Sequence, residues 1–413
     1  MRKLVAVMAL ATVCLFGAPQ STVISHAEST WQVEAPKEET QGAVTYLTYP
    51  NADGQTCWLY QIKVAENADV STLTIPETIG GLTVTRIGYE RQADECYNLF
   101  HVCVESYHGL DGSNELTKKV KEIQLPETIT VIDDCCFSGF DSITSIKVPA
   151  KVTKIASDVF YDCDSLQSIT LPDAMEEMDV TAFYQCDKLN NITISEQNAK
   201  YTAKNGSVMS KDEKTLYFAY SADQTYKIPA SVTLVKSRAF YVCSAKNVQI
   251  SENVEELEKW ALQSYKIKNV TVSKKNKNFK KDGQSIYRTS DKSLAVAIAP
   301  KGKKYVMSDK VKKLPTNVSV IGSIDQEEIH AGVILKQVIL SKNLKYVEQN
   351  FLFSNDWLDK IQFQTAKPPK FKDKHALPIK DKVYVPKKSA KKYKKVYKQY
   401  KRWQFVKDYW NVY

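Results

Sequence analysis

The chain repeats itself every 22 or 23 residues, and this period restricts its fold more than any other feature. Ile123, Ile146, Ile169 and Ile192 stand 23 apart, as do Pro126, Pro149, Pro172 and Ser195. A unit so short cannot enclose a core. It buries its apolar face only by stacking on its neighbours, so the array grows along one axis as a solenoid. Each unit opens on x-x-Ile-x-hydrophobic-Pro/Ser, a period-two alternation that reads as one short strand with inward and outward side chains. Proline lacks the N–H a ladder needs and ends that strand. An aliphatic residue follows six positions later (Ile132, Ile155, Met178, Val235, Leu257, Val347). Five further on comes Phe137, Phe160, Phe183, Phe240, Leu262 or Leu352, predicted on a short helical turn of the outer wall.

The strand-ending landmark also falls at 76, 229, 251, 273, 308, 341, 364 and 386. Its spacing widens to 34 after Ser195 and to 35 after Ser273, where two related stretches intervene. These are NAKYTAKNGSVMSKDEKTLYFAY from Asn198 and NKNFKKDGQSIYRTSDKSLAVAI from Asn276. Asn205-Gly206 and Asp282-Gly283 are tight-turn pairs, so both stretches are predicted as β-hairpins projecting from the solenoid. Tyr46 to Val64 alternates around Pro50-Asn51-Ala52-Asp53-Gly54 and reads as a hairpin that shields the first repeat's open edge.

Arg2 and Lys3 precede an apolar run from Leu4 to Phe16, and Ser25-His26-Ala27 offers a small-x-small cleavage site. That is the layout of a secretory signal peptide, with a run too short to span a bilayer. The expected product is exported and carries no transmembrane span, either released or loosely held at the cell surface. Of the net charge of +10, Lys367 to Tyr413 carries +13 and residues 1–27 carry +2, which leaves 28–366 at −5. The basic character belongs to the tail.

Cys163, Cys186 and Cys243 share a repeat position with Phe140 and Tyr265. A slot that takes Phe, Cys and Tyr is an apolar packing slot, so these thiols are predicted buried and free. Cys96, His101, Cys103 and His108 gather metal-capable groups, but not at the two-to-four spacing of zinc-binding cysteine pairs, and no metal is assigned. The pairing of Cys57, Cys96, Cys103, Cys135 and Cys136 stays open, with one of Cys135 and Cys136 expected to face inward. Gly-x-Ser-x-Gly, His-Glu-x-x-His and Gly-rich phosphate loops are missing, so the chain is read as a non-enzyme without catalytic residues or cofactor.

The outward strand positions form two columns. Glu122, Ser145, Ser168 and Asn191 open one, continued by Asn247, Asn269, Gln337 and Lys360; Gln124, Lys147, Thr170 and Thr193 open the other, continued by Gln249, Thr271, Ile339 and Gln362. Small hydrogen-bonding groups dominate, which suits a glycan or a polar protein segment, or simply a solvated face. In the tail, Tyr393, Tyr397 and Tyr400 follow i, i+4, i+7 spacing, so one aromatic stripe faces the array. Lys391, Lys392, Lys394 and Lys395 cover the rest of that helix, either as a soluble cap or as a site for an anionic cell-wall polymer, sulfated glycan or membrane surface. Nucleic acid is not expected as a partner of an exported chain.

The phrases LTIPETIGGLTVTRIG, ITSIKVPAKVTKIASDVFYDCDSL and QSITLPDAMEEMDVTAFYQCDKL resemble BspA-type leucine-rich repeats. The resemblance runs from about Leu73 to Phe405, and VYVPKKSAKKYKKVYKQYKRWQF is similar to the closing unit of such arrays. It weakens at Tyr89 to Lys119 and at Pro315 to Leu335. The resemblance implies a right-handed β/α leucine-rich-repeat superhelix, with short parallel strands on one face, an irregular or short-helical outer wall and two β-hairpin insertions. The layout expected is a signal peptide at 1–27, a flexible lead at 28–42 and an N-terminal β cap at 43–72. The array follows at 73–366, with insertions near 196–225 and 274–305, and a basic capping unit at 367–413. The implied function is adhesion or binding of a host or cell-surface protein or glycan. The alternatives are an enzyme-accessory module and a purely structural cell-envelope scaffold.

Overall fold

The computed structural model describes residues 36–66, 68–89, 115–221, 223–264, 266–299, 304–316, 318–321, 336–348, 360–372 and 382–400. Of these, 382–383 and 397–400 are described by backbone alone, as is a strand pair at Thr22–His26 and Ser29–Val33. Residues 1–21, Cys96, His101, Cys103, His108, Tyr265, His330, Leu352, Leu358 and His375 lie outside the described residues, as do the side chains of Tyr397 and Tyr400.

The repeats build a solenoid whose predicted strands stack in parallel. Ser145–Lys147, Ser168–Leu171 and Asn191–Ile194 form one run of this ladder, with Ile146, Ile169 and Ile192 as register partners. Thr72–Thr74 pairs with Glu122–Gln124 ahead of it. Thr225–Lys227, Asn247–Ile250 and Asn269–Val272 form a later run, followed by Lys304–Val306, Gln337–Ile339, Lys360–Gln362 and Lys382–Tyr384. A second parallel ladder is made by the aliphatic position six residues past the proline. It pairs Lys154–Ile155 with Glu177–Met178, Leu234–Val235 with Glu256–Leu257, and Lys313–Leu314 with Tyr346–Val347 and Lys370–Phe371.

An in-register parallel ladder sets like upon like at about 4.8 Å per step. The core is therefore a set of columns. Phe137, Phe160 and Phe183 are fully buried and stack at 5.8 Å with interplanar angles of 16° and 9°. Beside them, Cys163 Sγ donates to the Phe137 carbonyl (3.2 Å) and Cys186 Sγ to the Phe160 carbonyl (2.9 Å), one repeat back in each case. Cys57, Cys136, Cys163, Cys186 and Cys243 are free and buried, whereas Cys135 is disulfide-bonded. Cys136 faces the main core and Cys135 packs separately against Tyr161.

Among the described residues the outer wall is helical only at Val180–Phe183, a 3-10 turn capped by Asp179. Around Phe137 and Phe160 the backbone turns twice through the left-handed region, at Cys135 and Gly139 and at Asp158 and Asp162. Around Phe240 and Leu262 it does so once, at Arg238 and Trp260, and Gln185 does so just past the 3-10 turn. A helix would satisfy its N–H groups internally. Here they reach the next coil: Cys135, Phe137 and Gly139 donate to Ser157, Val159 and Tyr161 at 2.9–3.1 Å. Left-handed residues cost about 1–2 kcal/mol each, and these contacts between repeats offset that cost.

The two insertions are three-stranded meanders set into the wall and do not project from it. Tyr201–Lys204, Ser207–Ser210 and Thr215–Ala219 run antiparallel, and the third strand then pairs in parallel with Leu234–Val235. Phe279–Asp282, Ser285–Arg288 and Leu294–Ile298 do the same, joining Ser319–Ile321. Phe218 continues the aromatic column, 5.6 Å from Phe183. Each insertion opens on a buried asparagine whose amide donates to two carbonyls of the previous unit and whose oxygen accepts two backbone N–H groups. Asn198 serves Asp173, Met175, Lys200 and Tyr201, and Asn276 serves Ser251, Val254, Asn278 and Phe279. The first turn centres on Asn205-Gly206, both with positive φ. The second centres on Gly283-Gln284, one residue later than the Asp282-Gly283 reading, with Asp282 paired to Ser285. Only Gly283 has positive φ there, the pattern of a type II′ turn.

Ahead of the array, Lys37–Gln41, Val44–Pro50 and Thr56–Val64 form an antiparallel sheet, and Thr56–Val64 pairs in parallel with Leu82–Ile87. Lys37–Gln41, in the stretch read from sequence as a flexible lead, is its edge strand. Its charges suit an edge that must not recruit another strand, and Glu38 is ion-paired with Lys63 at 2.8 Å. Arg86 ties this sheet to the first repeats, lying 4.3 Å from the Trp58 ring centroid while its Nε donates to Asp133 at 2.9 Å. At the other end, the helix Ala390–Tyr400 lays Tyr393 on Phe363 (5.4 Å), and the Tyr393 hydroxyl donates to the Thr365 carbonyl (3.1 Å).

Candidate binding face

Glu122, Gln124, Ser145, Lys147, Thr170, Asn191 and Thr193 are exposed on the strand face, and Ser168 is half-buried. Backbone pairing brings Ser145, Ser168 and Asn191 into one file and Lys147, Thr170 and Thr193 into the next. Thr72 and Thr74 extend both files by pairing with Glu122 and Gln124.

The longer side chains of this part of the face satisfy one another. Thr74 donates to Gln124 (3.1 Å) and Gln124 donates to Glu122 (2.8 Å). Lys147 donates to Glu127 (2.7 Å), whose other oxygen accepts the Ala150 N–H. That backbone bond first, and Lys147 second, hold the Glu127 carboxyl below the usual range.

The face is not continuous. At each insertion the hydrogen-bonded ladder stops, and at the second a side chain closes the exposed strand edge on either side. Lys281 Nζ donates to the Val270 carbonyl (2.9 Å), and Gln284 Oε1 accepts the Val306 N–H (2.5 Å). The strand after each insertion carries an inward tyrosine where other units carry isoleucine, valine or leucine. Tyr226 and Tyr305 meet the hydroxyls of Ser207 (2.5 Å) and Ser285 (2.8 Å) on the preceding meander. Burial pushes both phenols up, opposed by the serine hydrogen bond.

Past the second break the face changes character. The columns become Lys304, Gln337, Lys360 and Lys382 beside Val306, Ile339, Gln362 and Tyr384. Val306 and Tyr384 are 41% and 43% exposed, and the Lys360 ammonium lies 4.0 Å from the Tyr384 ring centroid. An open cleft of about 400 Å³ borders Val306, with Asp282, Gln284 and Asp309 among its walls. The columns read from sequence omit Val306 and Tyr384, although Ser308 and Pro386 mark their strands; the Ile signature is missing from both units.

On the cap helix Lys391, Lys392, Lys394 and Lys395 are all exposed. No helix among the described residues is long and apolar enough to cross a membrane.

Residues 114–205 and 214–301 match the family model of the BspA type leucine rich repeat region, in 6 copies. Among solved structures, the chain is similar to the pneumococcal vaccine antigen PcpA, with 17% identity over 86% of this chain and 95% of that one and a TM-score of 0.42. It is also similar to a leucine rich cell surface protein from Faecalibacterium prausnitzii A2-165, with 15% identity, 80% and 95% coverage and a TM-score of 0.35. A leucine-rich repeat protein from Eubacterium ventriosum ATCC 27560 shows 14% identity, 75% and 86% coverage and a TM-score of 0.37. No curated protein matches the chain. Both stretches matched by the family model coincide with stacked ladders described above, so residues 114–205 and 214–301 are built from BspA-type leucine-rich repeats.

Proposed function

We propose that this protein is an exported, non-enzymatic binding protein that presents its strand face to a protein or glycan at the cell surface or host interface. The observation that carries this reading is the pair of outward columns, held in register by parallel pairing within Thr72–Gln124 and within Ser145–Ile194 and lined with hydrogen-bonding groups. Repeat solenoids present extended surfaces of this kind to partners, and one structural relative is described as a cell surface protein. The basic signal-like start supports export. The test is saturable binding of the purified chain to immobilised host-matrix proteins, to glycans and to purified cell wall. Thr170→Arg and Thr193→Arg place bulky groups on the face and should weaken that binding about tenfold, a loss of about 1.4 kcal/mol. Absence of saturable binding to every probe would leave a structural scaffold as the better reading.

A second surface supports attachment to an anionic cell-wall polymer. Four exposed lysines, Lys391, Lys392, Lys394 and Lys395, crowd one helix in a tail that carries +13. Such attraction is electrostatic and sensitive to salt.

A further inference from the structure

We propose that the C-terminal part of the strand face, centred on Val306, Ile339 and Tyr384, docks an acidic polypeptide segment that carries aliphatic or aromatic side chains. This rests on the reading of the strand face as a binding surface and names its strongest portion and its class of partner.

The contrast with the N-terminal part of the same face carries the argument. There the second column reads Gln124, Lys147, Thr170 and Thr193; its one charged member, Lys147, is engaged with Glu127, and Gln124 is bonded to Glu122. In the last run that column reads Val306, Ile339, Gln362 and Tyr384. A merely solvated face has no use for an exposed valine and tyrosine in one file. Tyrosine and aliphatic groups that stand out of a rigid surface are the usual anchors of protein interfaces.

The neighbouring column supplies the charge. Lys304 is exposed and Lys360 is half-buried against Tyr384, and neither ammonium meets a carboxylate among the described residues. Two residues along a strand span about 6.6 Å, so an apolar file and a cationic file run side by side. Two acids share the cleft with Val306. Asp309 is ion-paired with Lys342 at 2.8 Å, whereas Asp282 accepts from the Ser308 hydroxyl and keeps its charge. The ammonium groups of Lys304 and Lys360 outnumber that one carboxylate, so the surface keeps net positive charge beside apolar area. A polypeptide with alternating acidic and apolar side chains answers both files at once. An acidic polysaccharide would engage the lysines and leave Val306 and Ile339 without a partner. The cleft between the Gly283-Gln284 turn and Met307–Asp309 has room for one apolar side chain of such a segment.

The experiment titrates the full chain, by fluorescence anisotropy, against a fluorescein-labelled peptide of repeating Glu-Leu-Glu-Phe. The same peptide with Lys in place of Glu, and a heparin oligosaccharide, are titrated in parallel. Expected is saturable binding of the acidic peptide alone, weakened about tenfold by Tyr384→Ser and again by Lys360→Glu. Lys188→Ala, at an exposed position several repeats away, should leave it unchanged. Thermal unfolding checks each variant; if Tyr384→Ser is unfolded, Lys304→Glu at an exposed position carries the test instead. Equal binding by wild type and the folded variants, or binding of heparin alone, overturns the proposal. If the Thr170→Arg and Thr193→Arg variants lose a partner that the Tyr384 and Lys360 variants keep, this inference falls and the binding-face reading stands.

Discussion

Phe160 lies between Phe137 and Phe183 with both ring separations at 5.8 Å, so its removal opens a cavity that touches three repeats. Phe160→Ala should cost about 3–5 kcal/mol in denaturant unfolding, through lost transfer energy and an uncollapsed void. A cost below about 1 kcal/mol would contradict the column. The cysteine column makes a prediction about pH. Burial pushes the Cys243 thiol up to about 11, and Cys136 and Cys163 are pushed well up for the same reason. The unfolded chain loses such protons near pH ~8.5, while the folded chain keeps the Cys243 proton to about 11. The stability these thiols contribute is therefore full below pH ~8.5 and is lost as pH rises through the folded value. Raising pH from about 7.5 to about 10.5 should lower unfolding free energy by about 1–3 kcal/mol for Cys243 alone. Cys243→Ala should flatten part of that slope. A pH-independent urea midpoint would refute the assignment.

Among the elements, the two meanders share an architecture but not a turn. Gly206 has φ +70°, and a Cβ there would meet Ser221 Cβ at 2.9 Å; Gly283 has φ +57° and open space around it. Gly283→Ala should cost only the left-handed backbone penalty, about 1–2 kcal/mol. Gly206→Ala adds a clash with a buried neighbour and should cost measurably more, with both variants compared by chemical denaturation. Equal costs would mean that the first turn relaxes freely. The wall is instructive at the same scale. The spacing of Phe137, Phe160 and Phe183 predicts a helical turn, and only the third lies on one. Placement of the ring is legible from sequence, whereas the path of the backbone around it depends on where the next coil offers carbonyls.

For the molecule as a whole, charge is divided between a mildly acidic body and a tail carrying +13. Any retention on cell wall through the cap helix should fail at high salt, since screening lengths fall from about 10 Å at 0.1 M to about 3 Å at 1 M. Changing Lys391, Lys392, Lys394 and Lys395 to Gln should reduce retention on purified cell wall without shifting the unfolding transition, because all four are exposed. Tyr393, buried on Phe363, belongs to stability instead, and Tyr393→Ala should loosen the closing unit. Retention that survives about 1 M salt would reduce the tail to a cap.

The sequence by itself determined the period, the inward columns and the slot that keeps Cys163, Cys186 and Cys243 free. Stacking repeats place each residue on its own counterpart, so a column can be read down the chain without knowing its neighbours. Four features were decided by tertiary structure. The aliphatic six residues past each proline joins a second ladder, and the wall turns through left-handed residues because its N–H groups bond to the adjacent coil. The insertions sit within the wall, since Phe218 and Leu216 find apolar partners only there. The strand face is broken at the two insertions, where Tyr226 and Tyr305 stand in place of an aliphatic residue and each hydroxyl meets the serine that the meander supplies. Such choices depend on which partner a backbone or hydroxyl group meets across a seam, and local pattern holds no record of that partner.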